Sequence, residues 1–310
     1  GKRTDNYHDL FTLFQSIDLC DRLRFAFLES DKDEVEIGLQ DSTASHDFPL
    51  NDTNIIKKAA ALYMRETTNR SPLKVKVRVR KNIPIGAGLA GGSANAAATL
   101  LAINHHYGEK LSSDQLLQLA AEIGSDVPFS LRGGTSLGRG RGEILSPLPV
   151  QTDLSFVLVK PKALSVSTAW AYESFGRTRF YEQLDAATLE NQIEKLHSLL
   201  GARNISAAAK LFSNSFETVV FERYPVLRKI KERLIELGCL CAYMTGSGPT
   251  VYGLARGEAP AETIRSTIIS DQESKTTHSW YKDHGLAVDT WLVKSIGHGI
   301  KVIEDEEDHN

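Results

Sequence analysis

The cleanest pattern in the chain is Lys74-Val75-Lys76-Val77-Arg78-Val79-Arg80, with valine and cation in strict alternation. Successive side chains of a strand point to opposite faces, so this segment predicts a strand with one buried and one wet face. Two more strands are predicted within residues 10–28, where Leu10-Phe11-Thr12-Leu13-Phe14 and Asp21-Arg22-Leu23-Arg24-Phe25-Ala26-Phe27 are divided by polar residues. Glu34 to Leu39 predicts a third, and Asp41 to Asp52 a loop. Ile55, Ile56, Ala59, Leu62 and Tyr63 fall at helical spacing and predict a helix from Asn54 to Thr67, capped near Asp52 or Thr53. An alanine-rich helix is predicted from about Ser93 to Gly108. The next begins at Ser112 or Ser113, with Ser112 and Gln115 suited to a capping box, and ends at Gly124.

A glycine-rich stretch from Gly133 to Gly142 follows. Ser155 to Lys160 reads as a strand, and 169–240 is mostly helical in pattern. Cys241-Ala242-Tyr243-Met244 leads through Thr245-Gly246-Ser247-Gly248-Pro249-Thr250 into a strand ending at Leu254. Polar residues 271–288 predict an exposed insertion, Thr290 to Ile296 a last strand, and Glu304-Asp305-Glu306-Glu307-Asp308 a solvated acidic tail. There is no internal repeat. Strict βαβ alternation is absent, so the pattern predicts α+β, with helices gathered on one side of largely antiparallel sheets.

Composition changes this picture little. With 310 residues the chain makes one large or two medium domains, and 41% hydrophobic with 24% charged residues excludes wholesale disorder. A net charge of −3 argues against a general electrostatic grip on nucleic acid. No apolar run approaches the roughly 18 residues of a membrane helix. Cys20, Cys239 and Cys241 are odd in number and have no zinc-like companions, so they predict buried thiols in a reducing compartment. The chain opens on a polar turn without a signal or transit segment, which leads us to expect that something upstream has been trimmed or is missing.

The candidate chemistry lies between Ile83 and Asn95. Gly86, Gly88 and Gly91 satisfy G-x-G-x-x-G, but the preceding strand has a cationic face, whereas a central parallel strand is buried on both. Pro84 interrupts the turn, and Glu109 is followed by a capping box where a dinucleotide fold needs a second strand. A P-loop needs lysine after the last glycine, and Gly92-Ser93 has none. What remains is simpler physics. Glycines let backbone N–H groups approach an anion, and a helix starting near Ser93 adds unsatisfied N–H groups and its positive dipole end. Phosphate binding follows; the bland alternative is a tight turn before a small-residue helix.

Here the sequence resembles a family. Pro84-Ile85-Gly86-Ala87-Gly88-Leu89-Ala90-Gly91-Gly92-Ser93-Ala94 is similar to the second motif of the GHMP small-molecule kinases, and Met244-Thr245-Gly246-Ser247-Gly248-Pro249-Thr250 to their third. The opening segment Gly1-Lys2-Arg3-Thr4-Asp5-Asn6-Tyr7-His8-Asp9-Leu10 resembles the branch of that family acting on a cytidine diphosphate-linked methylerythritol. Gly124-Ser125-Asp126-Val127-Pro128-Phe129, Gly140-Arg141-Gly142-Glu143, Lys160-Pro161 and Ser167-Thr168 also fit that branch. The resemblance runs from residue 1 to about 256; Asn6, where the family has glycine, and the long 271–288 segment depart from it.

The resemblance implies a two-domain GHMP kinase fold. A ribosomal-protein-S5-like ATP-binding domain would span 1–151, a ferredoxin-like domain 152–296 and an acidic tail 297–310, with the active site in the cleft. It implies ATP contacts at Asn54 and along Pro84–Ala94, with Mg²⁺ as cofactor. Ser93 could cap its helix or ligate the metal; the metal ligands stay open. Asp126 by position alone reads as a helix N-cap; by resemblance it is the catalytic carboxylate that activates or orients the substrate hydroxyl. Tyr7, His8, Arg141, Thr168, Tyr172, Gly246, Ser247 and Gly248 would contact the substrate, with Tyr7 and His8 on the cytidine and Tyr172 closing over the cytosine from the other side; read alone, the aromatics are core residues and His8 a surface histidine. The family also begins with a Lys-x-Asn strand upstream of the first residue here, so truncation is expected. The expected activity is transfer of the ATP γ-phosphoryl group to this small-molecule alcohol, with no nucleic-acid or membrane partner, in bacterial cytoplasm or a plastid. Another GHMP kinase, or a non-catalytic relative lacking the lysine, are the alternatives.

Overall fold

The computed structural model describes residues 10–40, 48–68, 70–177, 186–274 and 280–303. The opening segment with Tyr7 and His8, most of the Asp41–Asp52 loop and the acidic run Glu304–Asp308 lie outside the described residues. The described residues divide into two units, one within 10–85, 90–146 and 297–303, the other within 86–89 and 147–296.

The first unit contains β1 (Leu10–Gln15), β2 (Arg22–Glu29), β3 (Glu34–Leu39), α1 (Ile55–Glu66), β4 (Leu73–Arg80), α2 (Gly91–His106), α3 (Ser113–Ile123), α4 (Val127–Arg132), β5 (Thr135–Gly140) and β6 (Ile144–Pro147). The valine-cation strand β4 is the centre of a three-stranded sheet in the order β2-β4-β3. It runs antiparallel to β2, with Phe25 opposite Val77, and parallel to β3. Val75, Val77 and Val79 are buried against Ile56, Tyr63, Leu100 and Ile103 of α1 and α2. Each contributes roughly 1.5–3 kcal/mol by burial. Ala96 and Ala97 let α2 pack close within this core. On the wet face, Lys74 meets Glu34 and Glu36 at 3.4 and 3.7 Å. A second sheet, β1-β5-β6, pairs Leu13 with Leu137. Part of the stretch expected only to be glycine-rich is thus a strand. Residues 297–303 group with this unit, and Ile300 packs on its core.

Two helix starts differ from expectation. The cap of α1 is Asn54 itself, whose Oδ1 accepts the Ile56 N–H, while Asn51 takes the Thr53 hydroxyl and N–H. α2 begins at Gly91, two residues before Ser93, with Ala90 as its N-cap in the left-handed region. The capping box of Ser112 and Gln115 forms as expected.

The second unit contains β7 (Ser155–Pro161), α5 (Thr168–Gly176), α6 (Ala186–Gly201), α7 (Ile205–Ala208), α8 (Glu217–Arg223), α9 (Pro225–Glu236), β8 (Cys241–Met244), β9 (Val251–Leu254), α10 (Glu258–Glu273), α11 (Trp280–Asp283) and β10 (Val288–Lys294). Its antiparallel sheet has the order β10-β7-β9-β8. One face packs Val157, Val159 and Val251 against Leu227, Ile230 and Leu234 of α9 and Ile264 and Ile268 of α10. No described helix is long and apolar enough to cross a membrane. Cys239 and Cys241 are buried, which pushes their thiols up to about 12 and about 11; Cys20, contrary to expectation, is exposed.

The described part of 271–288 is not an exposed insertion. α10 continues through Glu273, and Tyr281 is 1% exposed within the core, its N–H bonded to Asp271 Oδ2 at 3.3 Å. Its hydroxyl is buried and has no hydrogen-bond partner among the described residues. Tyr281→Ala is expected to lower the unfolding free energy by about 3–5 kcal/mol. Tyr281→Phe, which removes only the orphaned hydroxyl, is expected to raise the urea midpoint or leave it unchanged. Equal midpoints for wild type and Tyr281→Ala would return this segment to the surface.

Candidate active site

In the second unit two glycine loops meet backbone to backbone. Gly86 and Gly88 have φ of 62° and 72°. Thr245 donates from Oγ1 to the Gly88 carbonyl at 2.9 Å. A Cβ on Gly88 would lie 2.7 Å from the Thr245 carbonyl oxygen and 2.8 Å from that of Gly248. No side chain fits there. The other loop is closed on itself, Thr245 N–H to Thr250 O at 2.9 Å and Gly248 N–H to Thr245 O at 2.8 Å. Thr168, the first residue of α5, shares a hydrogen bond of 2.9 Å with Ser247. Tyr172, one turn further, sets its ring edge-to-face on Phe216 with centroids 4.7 Å apart. The structure therefore brings Gly88, Thr168 and the Thr245–Gly248 loop into one group of contacts, with Gly86 two residues along one loop and Tyr172 one turn along α5.

Lys160 in the same unit is 8% exposed, and its ammonium makes one long hydrogen bond, 3.3 Å to Pro161 O. A buried ammonium with donors to spare suits a ligand's carbonyl or phosphate oxygen. The sequence reading noted Lys160 as part of a motif but gave it no role.

In the first unit the glycine segment is anchored at both flanks. Buried Asp21 accepts from the Asn82 and Ile83 N–H groups through Oδ1, each at 2.8 Å, and from Lys81 Nζ through Oδ2 at 2.7 Å. Lys81 also donates to Ile83 O, and a Cβ on Gly91 would lie 3.1 Å from its Nζ. Burial lowers the Lys81 pKa, opposed by the Asp21 carboxylate. This pair, 60 residues apart in sequence, was missed by the sequence reading. At the start of α2 no side chain caps the first turn, and Ser93, which could have done so, makes no hydrogen bond among the described residues. That overturns the capping role and leaves its hydroxyl for a ligand. Asn54 lies beside this turn: a Cβ on Gly92 would sit 3.8 Å from Ile55. Its amide is already committed, Oδ1 to Ile56 N–H and Nδ2 to Pro49 O.

Asp126 occupies the N-cap position of α4 but makes no cap bond, contrary to the positional reading. Among the described residues its carboxylate has no hydrogen bond or ion pair. Burial pushes its pKa above the ordinary carboxylate range. Beside it, a Cβ on Gly142 would lie 3.9 Å from Ser125 Cβ. Arg141 donates to Ala121 O at 3.3 Å and pairs with Glu143 at 3.6 Å. The first unit thus brings Ser125, the neighbour of Asp126, near Gly142, the neighbour of Arg141, and Ile55, the neighbour of Asn54, near Gly92.

A glycine loop feeding an uncapped helix start, and a half-buried carboxylate without a partner among the described residues, suit a small-molecule kinase. The chain matches the GHMP kinases N terminal domain over residues 54–134 and the GHMP kinases C terminal domain over 189–272. It is 37% identical over 273 residues to the 4-diphosphocytidyl-2-C-methyl-D-erythritol kinase of Gloeobacter violaceus, which covers 87% of this chain and 85% of that protein. Against the protein of that name from Syntrophomonas wolfei it is 40% identical over 265 residues, 86% and 87% of the two chains. A solved 4-(cytidine 5'-diphospho)-2C-methyl-D-erythritol kinase superposes with TM-score 0.70 at 28% identity, covering 96% of this chain and 94% of that one. The homoserine kinase of Cytophaga hutchinsonii gives TM-score 0.73 at 20% identity over 94% and 91%, a similarity of fold. The chain belongs to the GHMP kinases and, within them, to the 4-diphosphocytidyl-2-C-methyl-D-erythritol kinase family.

Two outcomes follow from the geometry. Gly88→Ala forces a Cβ against two carbonyl oxygens at a left-handed φ, so affinity for a non-hydrolysable ATP analogue is expected to fall at least about tenfold by calorimetry. Asp126→Asn removes a half-buried charge that is unpaired among the described residues. Because the native pKa is raised, the folded state keeps a proton that the unfolded chain sheds, and wild-type stability falls as pH rises from about 4 through the native value. Asp126→Asn is therefore expected to melt higher than wild type at pH 8, by roughly 2–4 °C per kcal/mol recovered. The gain should disappear below about pH 4. A lower melting temperature at pH 8 would contradict the assigned environment.

Proposed function

We infer that the chain transfers the γ-phosphoryl group of ATP to the 2-hydroxyl of 4-diphosphocytidyl-2-C-methyl-D-erythritol, a step of non-mevalonate isoprenoid precursor synthesis. The relatives' names support the substrate; Asp126 carries the chemistry. Phosphoryl transfer asks little covalent work of a protein: hold the alcohol in line with the γ-phosphoryl group and offset charge as it moves. A half-buried carboxylate without a partner among the described residues is ready to accept the hydroxyl's hydrogen bond and then its proton. The N–H groups opening α2 and the backbone of Pro84–Ala94 receive the ATP phosphates. Tyr172 offers a π-face to the cytosine, with Tyr7 and His8 as further cytidine contacts, and Thr168, Gly246, Ser247 and Gly248 of the second unit contact the acceptor; Arg141, in the first unit, is assigned to the substrate as well. The buried amide of Asn54 acts by fixing the start of α1.

Among the described residues no cluster of three His, Cys, Asp or Glu could hold a metal alone. This fits Mg²⁺, which keeps waters and binds through phosphate oxygens with one or two protein ligands. The free Ser93 hydroxyl is suited to be such a ligand. Held there, Mg²⁺ would supply positive charge to offset that of the phosphates. The reading assigns 1–151 to nucleotide binding, 152–296 to the second domain and 297–310 to the tail, in a bacterial cytoplasm or a plastid.

The test is calorimetric titration of the cytidine substrate into this chain with a non-hydrolysable ATP analogue and Mg²⁺. Saturable binding at one site per chain is expected. A folded chain that binds mevalonate or homoserine and ignores the cytidine compound would replace the substrate assignment.

A further inference from the structure

The Gly246–Gly248 loop is held from outside its own strand pair. Asn214, in the turn before α8, donates from Nδ2 to Met244 O at 2.6 Å and to Gly246 O at 2.8 Å. Its Oδ1 accepts the Phe216 N–H at 2.9 Å. Both ends of the amide are therefore engaged. Three residues on, Glu217 Oε1 accepts the Met244 N–H at 2.8 Å, and Oε2 pairs with Lys231 at 2.5 Å. Met244 is thus gripped on its N–H and its C=O by one short turn.

That turn has two outputs. On one side lies the loop whose Thr245 meets Gly88 and whose Ser247 meets Thr168. On the other lies the Phe216 ring, packed edge-to-face against Tyr172 at 4.7 Å and Phe175 at 5.8 Å. The Nδ2 and Oδ1 ends of one side chain divide between them.

We propose that Asn214 is a positioning residue for both substrates: its Nδ2 sets the glycine loop that meets the donor-phosphate loop, and its Oδ1 sets the Phe216 ring that supports Tyr172. The inference rests on the reading above, in which Pro84–Ala94 receives ATP and Tyr172 receives the cytosine. The two ends can be cut separately. Asn214→Asp keeps an acceptor for the Phe216 N–H and turns the donor end into an oxygen facing two carbonyl oxygens. Phe216→Leu keeps all three hydrogen bonds of Asn214 and removes the ring.

The experiment titrates a non-hydrolysable ATP analogue with Mg²⁺, and separately cytidine 5'-diphosphate, into wild type and both variants, with kcat, both KM values and melting temperatures. Asn214→Asp is expected to weaken the ATP analogue and to lower kcat, each by about tenfold or more, since two hydrogen bonds to carbonyls become repulsive. Its affinity for cytidine 5'-diphosphate should stay within about twofold. Phe216→Leu is expected to show the reverse split. Asn214→Ser, which keeps one donor, gives the same direction should the aspartate variant not fold. Wild-type affinities and kcat in Asn214→Asp, or equal losses for both ligands, overturn the inference alone. A wild-type chain that ignores cytidine 5'-diphosphate overturns the functional reading and the acceptor half of the inference with it.

Discussion

The contact between Gly88 and the Thr245–Gly248 loop is the constraint on which the site depends. Two stretches of backbone approach until a Cβ on Gly88 would lie 2.7 Å from one carbonyl oxygen and 2.8 Å from another. Backbone so close cannot tolerate a side chain, which is the physical reason for glycine there. The Thr245 hydroxyl satisfies the Gly88 carbonyl, so the loop does not spend that acceptor on water. From this contact the rest of the second unit's site is reached in single hydrogen bonds: Ser247 to Thr168, then Asn214 to Gly246 and Phe216.

The first unit manages charge in two opposite ways. Lys81 is buried with its counter-ion, and Asp21 gives its second oxygen to two backbone N–H groups, so the pair is satisfied and rigid. Asp126 is half-buried and has no counter-ion among the described residues, and its partial removal from water raises its pKa. One arrangement fixes backbone; the other leaves a carboxylate free of protein partners among the described residues, which is why it is proposed as the group that accepts the hydroxyl's proton.

Much of this was legible in the residues because the signals are local. The valine-cation alternation placed β4, and Ser112 with Gln115 placed the start of α3. The glycine run pointed to phosphate without any fold, and its ordered companions pointed to the family. What was not legible depends on tertiary context. Asp52, Thr53 and Asn54 are all competent caps, and the Pro49 carbonyl helps to select Asn54. The polar look of 271–288 hid Tyr281, because one buried ring does not make a period. Asp21 with Lys81, and Asn214 with Gly246, join residues far apart in sequence, and no spacing rule encodes them.

³¹P nuclear magnetic resonance of the chain with ATP, Mg²⁺ and 4-diphosphocytidyl-2-C-methyl-D-erythritol reads the transfer itself atom by atom. ATP resonances are expected to give way to those of ADP while one new phosphomonoester resonance grows in equal amount and the acceptor's own diphosphate is retained. ATP left intact by a folded, substrate-bound chain, or converted only to ADP and inorganic phosphate, would contradict that transfer.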